Sequence, residues 1–296
     1  MRLCVQEFST RSLNCSVNAE NQGDSMASPQ LLLSTRSSGI MRLDRYQAVV
    51  ASGSCHGIDL DATSDLRRLI VSSNAVPKLL ANSSISSIWL TPSQLEGRGL
   101  QPYRDFARIT GTNRLPNLVV DIPADSTADD ALSVQIAAAR RLRNATGPQA
   151  RIAVAIRAEN REGNHDHIER MTLIRHQVGE WEFGIALDLT IGVDGAWEAE
   201  AAVIKLLPRL SMIRLVLPRT MLSGGVRWRI ASRTVAAACD SGFTGIFSIA
   251  PDLSLWERLS VNALSDRCAM FATNLDRRAS LVRSERSRLP GRRTIS

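Results

Sequence analysis

The amino-acid sequence predicts an α/β fold, a single (β/α)8 TIM barrel with irregular tails at both ends, and three observations lead to it. Short β-rich runs recur eight times: LLLST from residue 31, GIDLD from 57, SSIWLTP from 86, LPNLVVDIP from 115, ARIAVAIRAEN from 150, EFGIALDLT from 182, SMIRLVLPR from 211 and TGIFSIAPD from 244. Their starts lie 26 to 35 residues apart, the length of one strand, one helix and two short connections. The segments between them carry a helical period, and at 296 residues with 44% hydrophobic content the chain exceeds the roughly 250 residues such a barrel needs.

Taken in order, LLLST follows directly on the stretch opened by Met26, and residues 1 to 25 before it hold no sustained period. We expect an N-terminal extension over 1–28, a leader or an upstream start, that is poorly ordered. A doubly wound open sheet shows the same alternation of strands and helices, but it usually places a glycine-rich phosphate turn after its first strand. STRSSG, from 34, is no such turn. DDALSVQIAAARRLRNAT, which precedes the fifth run, sets Leu132, Ile136, Ala139 and Leu142 near one face, with Arg140, Arg141 and Arg143 elsewhere. This is the pattern of a helix laid outside a sheet.

In the fifth run Ile152, Val154 and Ile156 alternate with Ala153, Ala155, Arg157 and Glu159. The branched set should pack on helices and the other set point into the barrel. The same rule turns Gly184, Ala186, Asp188 and Thr190 inward from the sixth run, and Arg214, Val216 and Pro218 from the seventh. After the eighth run, SLWERLSVNALSDRCAMFAT repeats the helical spacing with Leu255, Leu259, Leu264, Cys268 and Phe271. The barrel is therefore expected over 29–275, followed by a basic tail over 276–296.

That tail locates the formal net charge of +7: Arg277 to Ser296 hold seven Arg against Glu285, or +6, leaving +1 for the rest of the chain. It is poor in apolar residues and is expected to be mostly disordered. No aromatic residue interleaves its charges, so nucleic acid is not an expected partner beyond weak contacts of this tail. RRAS matches a basophilic kinase pattern at Ser280. No apolar run reaches the roughly 18 residues that cross a bilayer, and no secretory h-region opens the chain, so we expect no membrane partner. The five cysteines (Cys4, Cys15, Cys55, Cys239, Cys268) are odd in number and form no CxxC pair. A reducing, cytoplasmic location fits them best.

Several chemistries are excluded. The two lysines, Lys78 and Lys205, fall in or beside expected outer helices, so none is placed for a Schiff base. No GxSxG, HExxH, P-loop or dinucleotide fingerprint occurs. His56 and His176 are expected to be structural.

On the strand motifs, the chain resembles the xylose isomerase-like TIM barrels, which include sugar-phosphate isomerases and epimerases, over roughly residues 30 to 272. SCHGIDL, with Asp59, is similar to that family's second strand. ARIAVAIRAEN resembles the strand ending in a metal-binding Glu, GIALDLT the one ending in a metal-binding Asp, MIRLVLPR the one bearing two His, and GFTGIFSIA the final one ending in Glu. Residue by residue, the resemblance carries over at Asp188. The first Glu position falls on Arg157, or on Glu159 two residues later; the His-bearing strand offers Arg214 and Val216; and the last Glu position is Ala250. A divalent ion needs several hard or borderline ligands converging on one point, so the sequence implies a degenerate metal site and neither metal nor cofactor is expected.

The candidate site is then a charged ring at the barrel mouth. Asp188 and Glu159 are the candidate proton-transfer groups, and Arg157, Arg214, Arg219, His165, His167 and Asp59 the candidate ligand-binding groups, with Asp121 adding negative charge. His165 and His167, in NREGNHDHIER, are an alternative pair for metal binding or acid/base work. Three functions follow. One is a non-catalytic protein binding a small polar or anionic ligand, such as a phosphorylated or carboxylated sugar, or a partner protein. Another is a metal-independent isomerase or epimerase in which Arg157 and Arg214 stabilise an enediolate while Glu159 or Asp188 moves the proton. The third is a structural scaffold, which predicts a filled mouth with its arginines paired.

Overall fold

Runs of Leu, Ile and Val buried on both faces favour parallel pairing, because helices can then cover the outer face while a closed axis takes the inner one. In the computed structural model, eight strands obey this rule: β1 (Gln30–Ser34), β2 (Gly57–Asp61), β3 (Ile85–Leu90), β4 (Asn117–Val120), β5 (Ile152–Ala158), β6 (Gly184–Thr190), β7 (Leu210–Leu217) and β8 (Ile246–Pro251). Each pairs in parallel with its neighbour in chain order, and β8 returns to β1, so the sheet closes into a barrel. The structure describes residues 29–36, 43–62, 75–121, 128–158, 175–179, 181–190, 203–217, 224–251 and 261–288. The expected extension over 1–28 lies outside them.

The helices between strands are α1 (Leu43–Ala51), α2 (Ala75–Leu80), α3 (Gln101–Thr110), α4 (Ala128–Thr146) and α5 (Gly224–Asp240), and α6 (Val261–Arg288) follows β8, with shorter helical stretches at 175–179 and 203–206. The period-two pleat splits the buried side chains into two sets. Leu31, Leu33, Ile58, Leu118, Val120, Ile152, Val154, Ile156, Leu187, Ile213 and Phe247 join the layer between sheet and helices. Leu32, Trp89, Val119, Ala153, Ala155, Ala186, Met212 and Ile246 form a separate cluster along the axis. The fifth and sixth strands thus face as the alternation predicts.

Helix α6 runs past residue 275, where an irregular tail was expected, to Arg288. Leu275 is buried, and Arg278 grips Asp240 at the end of α5, with Nε donating to Oδ1 at 2.7 Å and Nη2 to Oδ2. Arginine and alanine are good helix formers, so this stretch needs no long apolar stripe to stay helical once it is anchored; a pattern search based on apolar period passes it over.

His56 plays the structural part expected of it: its Nδ1 accepts a hydrogen bond from the Leu31 amide at 3.0 Å, tying the entry of β2 to β1. Among the described residues, no helix is long and apolar enough to cross a membrane.

Candidate functional site

At the carboxyl ends of the strands the inward side chains change from apolar to charged. Asp59 and Asp61 share the inner face of β2, Asp121 follows β4, and Arg157, Asp188 and Arg214 sit level on three adjacent strands, with register Arg157↔Asp188 and Asp188↔Arg214. Arg36 follows β1. Burying a lone charge costs several kcal/mol, so inward charges in a barrel must find partners. They do so through two linked groups of ion pairs.

The deeper group centres on Arg214, which is fully buried. Its Nε donates to Asp59 Oδ2 at 2.8 Å and its Nη1 to Asp61 Oδ2 at 3.0 Å. Ser248, level with it on β8, adds a hydroxyl bond to the same Asp59 oxygen at 2.7 Å. The guanidinium carbon lies 3.3 Å from the centroid of the Trp89 ring, a cation-π contact in a desolvated setting. The outer group centres on Asp188. Arg36 pairs with its Oδ2, Arg157 Nε lies 3.9 Å from the same oxygen, and Arg157 Nη2 donates to Asp121 Oδ2 at 2.7 Å.

Backbone and amide contacts hold these groups in place. The Thr35 amide donates to the Asp59 carbonyl at 3.0 Å, and the Thr35 hydroxyl accepts from the Asp61 amide at 2.9 Å. These bonds fix the end of β2 against the segment that carries Arg36. From α4, the buried Gln135 donates to both the Val120 and Ala155 carbonyls at 3.0 Å, clamping the strands that deliver Asp121 and Arg157. Helix α4 thereby ties together the two strands that carry them.

Among the described residues the ring holds four carboxylates and three guanidinium groups. Burial pushes the Arg36 guanidinium below its ordinary range, and its neighbours Arg214 and Arg157 push it further, while Asp61 and Asp121 act in the opposite sense. Arg36 and Arg157 keep 24% and 35% of their side chains exposed, whereas Asp188 is closed in beneath them. Among the described residues, the buried atoms of this network without a hydrogen-bond partner include Asp59 Oδ1, Asp188 Oδ1, Arg214 Nη2 and Trp89 Nε1.

The structure brings together Asp59, Arg157, Asp188 and Arg214, all four named from the sequence. Glu159, His165, His167 and Arg219 lie outside the described residues. Arg36, Asp61, Trp89 and Ser248 belong to the network and were not singled out. Their signal was present for Asp61, two residues beyond Asp59 and so on the same face of one strand. It was absent for Arg36, which follows the last residue of β1 by two and reads as the start of a loop.

Against known proteins, no family model matches the chain and no curated protein matches it. Solved structures do. A xylose isomerase-like TIM barrel/4-hydroxyphenylpyruvate dioxygenase fusion protein superposes with a TM-score of 0.51 at 15% identity, over 90% of this chain and 45% of that one. In fold, the chain is similar to a xylose isomerase-like TIM barrel. D-psicose 3-epimerase from Clostridium cellulolyticum H10 matches with a TM-score of 0.49 at 12% identity, over 86% of this chain and 97% of the other. The carboxyl transferase domain of Rhizobium etli pyruvate carboxylase, in its complex with pyruvate, gives 0.49 at 15% identity over 86% and 48%. The chain spans less than half of the fusion protein, and identities this low speak to fold alone.

The metal that the strand motifs imply does not fit the described residues. Asp59, Asp61, Asp121 and Asp188 each face a guanidinium, and a cation entering among them would have to displace one bearing the same sign of charge. Among the described residues no three His, Cys, Asp or Glu side chains converge as a metal cage.

Proposed function

We propose that the protein is a non-catalytic barrel that binds a small carbohydrate derivative at the carboxyl end of its strands, its guanidinium groups standing where a sugar isomerase would use a metal ion. The observation that carries this reading is the division of labour among the arginines: Arg214 is sealed on Asp59 and Asp61, while Arg36 and Arg157 remain partly exposed above Asp188. A planar guanidinium presents donors in a fixed fork that suits carboxylate and phosphate groups. In this reading Arg36 and Arg157 take the anionic group of a sugar acid or sugar phosphate, and Asp188 Oδ1 accepts from a hydroxyl.

Metal-independent isomerisation is the less favoured reading. It asks Arg214 to meet charge developing on substrate, yet two donor atoms of Arg214 are already committed to buried carboxylates. A stabilising group must be aimed at the reacting atom and free to meet it. The scaffold reading accounts for the sealed Arg214 and for the pairing of Arg36 and Arg157 with carboxylates, but not for the parts of Arg36 and Arg157 that stay exposed.

Thermal-shift titration tests the proposal, using a panel of sugar acids and sugar phosphates with their neutral parent sugars, on wild type, Arg36→Ala and Arg157→Ala. A binder present at 100 times its Kd stabilises by about 2.7 kcal/mol. We expect a saturable shift with an anionic member that falls about tenfold in affinity in either variant. Equal responses from wild type and both variants remove the arginines from the account, and silence across the panel removes the proposal. A saturable shift with Mn2+, Mg2+ or Zn2+ overturns the replacement of the metal.

A further inference from the structure

The amino-terminal end of the barrel holds a second concave site. On β5 and β6 the inward positions are Ala153, Ala155, Gly184 and Ala186, where barrels of this type stack layers of bulky branched side chains. A Cβ on Gly184 would lie 2.6 Å from Ser211 Oγ, so a side chain there requires its neighbour to move. A cavity of about 610 Å³ lies at this end, with Ala153 and Gly184 in its lining beside Val119, Met212 and Ile246. That size falls within the roughly 300–1,000 Å³ of small-molecule pockets.

Among the described residues, the charged side chains that line the cavity are Arg143, Arg151 and Glu182, two cations against one anion. Arg143 stands in the last turn of α4, its guanidinium carbon 5.0 Å from the Phe183 ring centroid, and its Nε is buried with no hydrogen-bond partner among the described residues. A buried donor without an acceptor is costly, and an oxygen acceptor placed against it would relieve that cost. Trp89, fully buried in the axial cluster, lies against Arg214 of the charged ring at the other end.

We propose that this cavity binds a small organic monocarboxylate, its apolar body against Val119, Ala153, Met212 and Ile246 and its carboxylate on Arg143. Met212 suits such a wall because its unbranched thioether adapts to irregular shapes. The site is independent of the carbohydrate site proposed above, and neither test bears on the other.

The test uses the full chain labelled with 13C at methionine methyls, the Met212 resonance being assigned with Met212→Leu. Benzoate, hexanoate and 4-phenylbutyrate are titrated separately to about 10 mM, a range in which fragment-strength binding registers. The expected result is a saturable movement of the Met212 methyl signal with at least one acid. Arg143→Gln should weaken that acid about tenfold, and the uncharged benzyl alcohol should bind more weakly than benzoate. Ala153→Leu, which fills the cavity, should abolish the movement. The proposal is overturned if none of the three acids moves Met212 saturably, or if an acid binds Arg143→Gln as tightly as wild type. Because Arg143→Gln leaves the apolar walls intact, the test holds even where the cavity-filling variant does not fold.

Discussion

Replacing Arg214 by Met separates an ion pair that stabilises from one that is merely tolerated. The side chain is fully buried, carries two charge-assisted hydrogen bonds of 2.8 and 3.0 Å, and lies over Trp89. Each such bond is worth about 1.5–3 kcal/mol, and removing one partner of a buried pair costs about 3–5 kcal/mol, because the orphaned charge stays inside. Asp59 keeps its Ser248 bond, but Asp61 loses a guanidinium partner, so about 4 kcal/mol is the expected loss for Arg214→Met. With a urea slope of about 3 kcal/mol per M, this moves the unfolding midpoint down by more than 1 M. The triple variant Arg214→Met, Asp59→Asn, Asp61→Asn removes the stranded charges together with the arginine and should recover at least half of the loss. Urea unfolding followed by tryptophan fluorescence measures both. A single variant within about 1 kcal/mol of wild type, or a triple variant no more stable than the single, refutes the claim that the carboxylates depend on Arg214.

Three further outcomes are expected. Gln135→Leu leaves the Val120 and Ala155 carbonyls without their side-chain donor and should cost about 2 kcal/mol in the same unfolding assay; an unchanged midpoint would show that α4 does not clamp these strands. Burial pushes the Cys55 and Cys239 thiols up to about 11 and raises Cys268 as well, so the folded state holds these protons when the unfolded chain has begun to release them. Stability should therefore be unaffected below the ordinary thiol value of 9.0 and fall as pH rises from there toward 11. Iodoacetamide at pH 8 should spare all three cysteines in native protein and label them in urea, read by peptide mass spectrometry; native labelling of any of them contradicts this burial.

The barrel was legible because its signal is repeated eight times and each strand carries its own face assignment. Ala153 and Ala155 against Ile152, Val154 and Ile156 are enough to tell axis from helix layer. Asp188 and Arg214 were legible for the same reason, since strand parity fixes direction. Pairing was less legible than placement. Consecutive inward-facing strands carry Arg157 and Asp188, and the two are neighbours, yet the short hydrogen bond of Arg157 goes to Asp121 on the other side. The nearer cation for Asp188 comes from Arg36, which lies 152 positions earlier in the chain and meets it only across the closed barrel. Long side chains reach past their own strand, and parity does not say which way they lean. The end of α6 escaped for a different reason: a single-sided anchor, Arg278 on Asp240, extends a helix where no apolar period announces one.

The level register of Arg157, Asp188 and Arg214 also constrains which replacements such a chain tolerates. No member of the alternating row can change sign alone without stranding a neighbour inside the protein, so any single-step path to a row of different charge runs through a less stable intermediate. The row therefore changes as a unit, through at least two coordinated replacements.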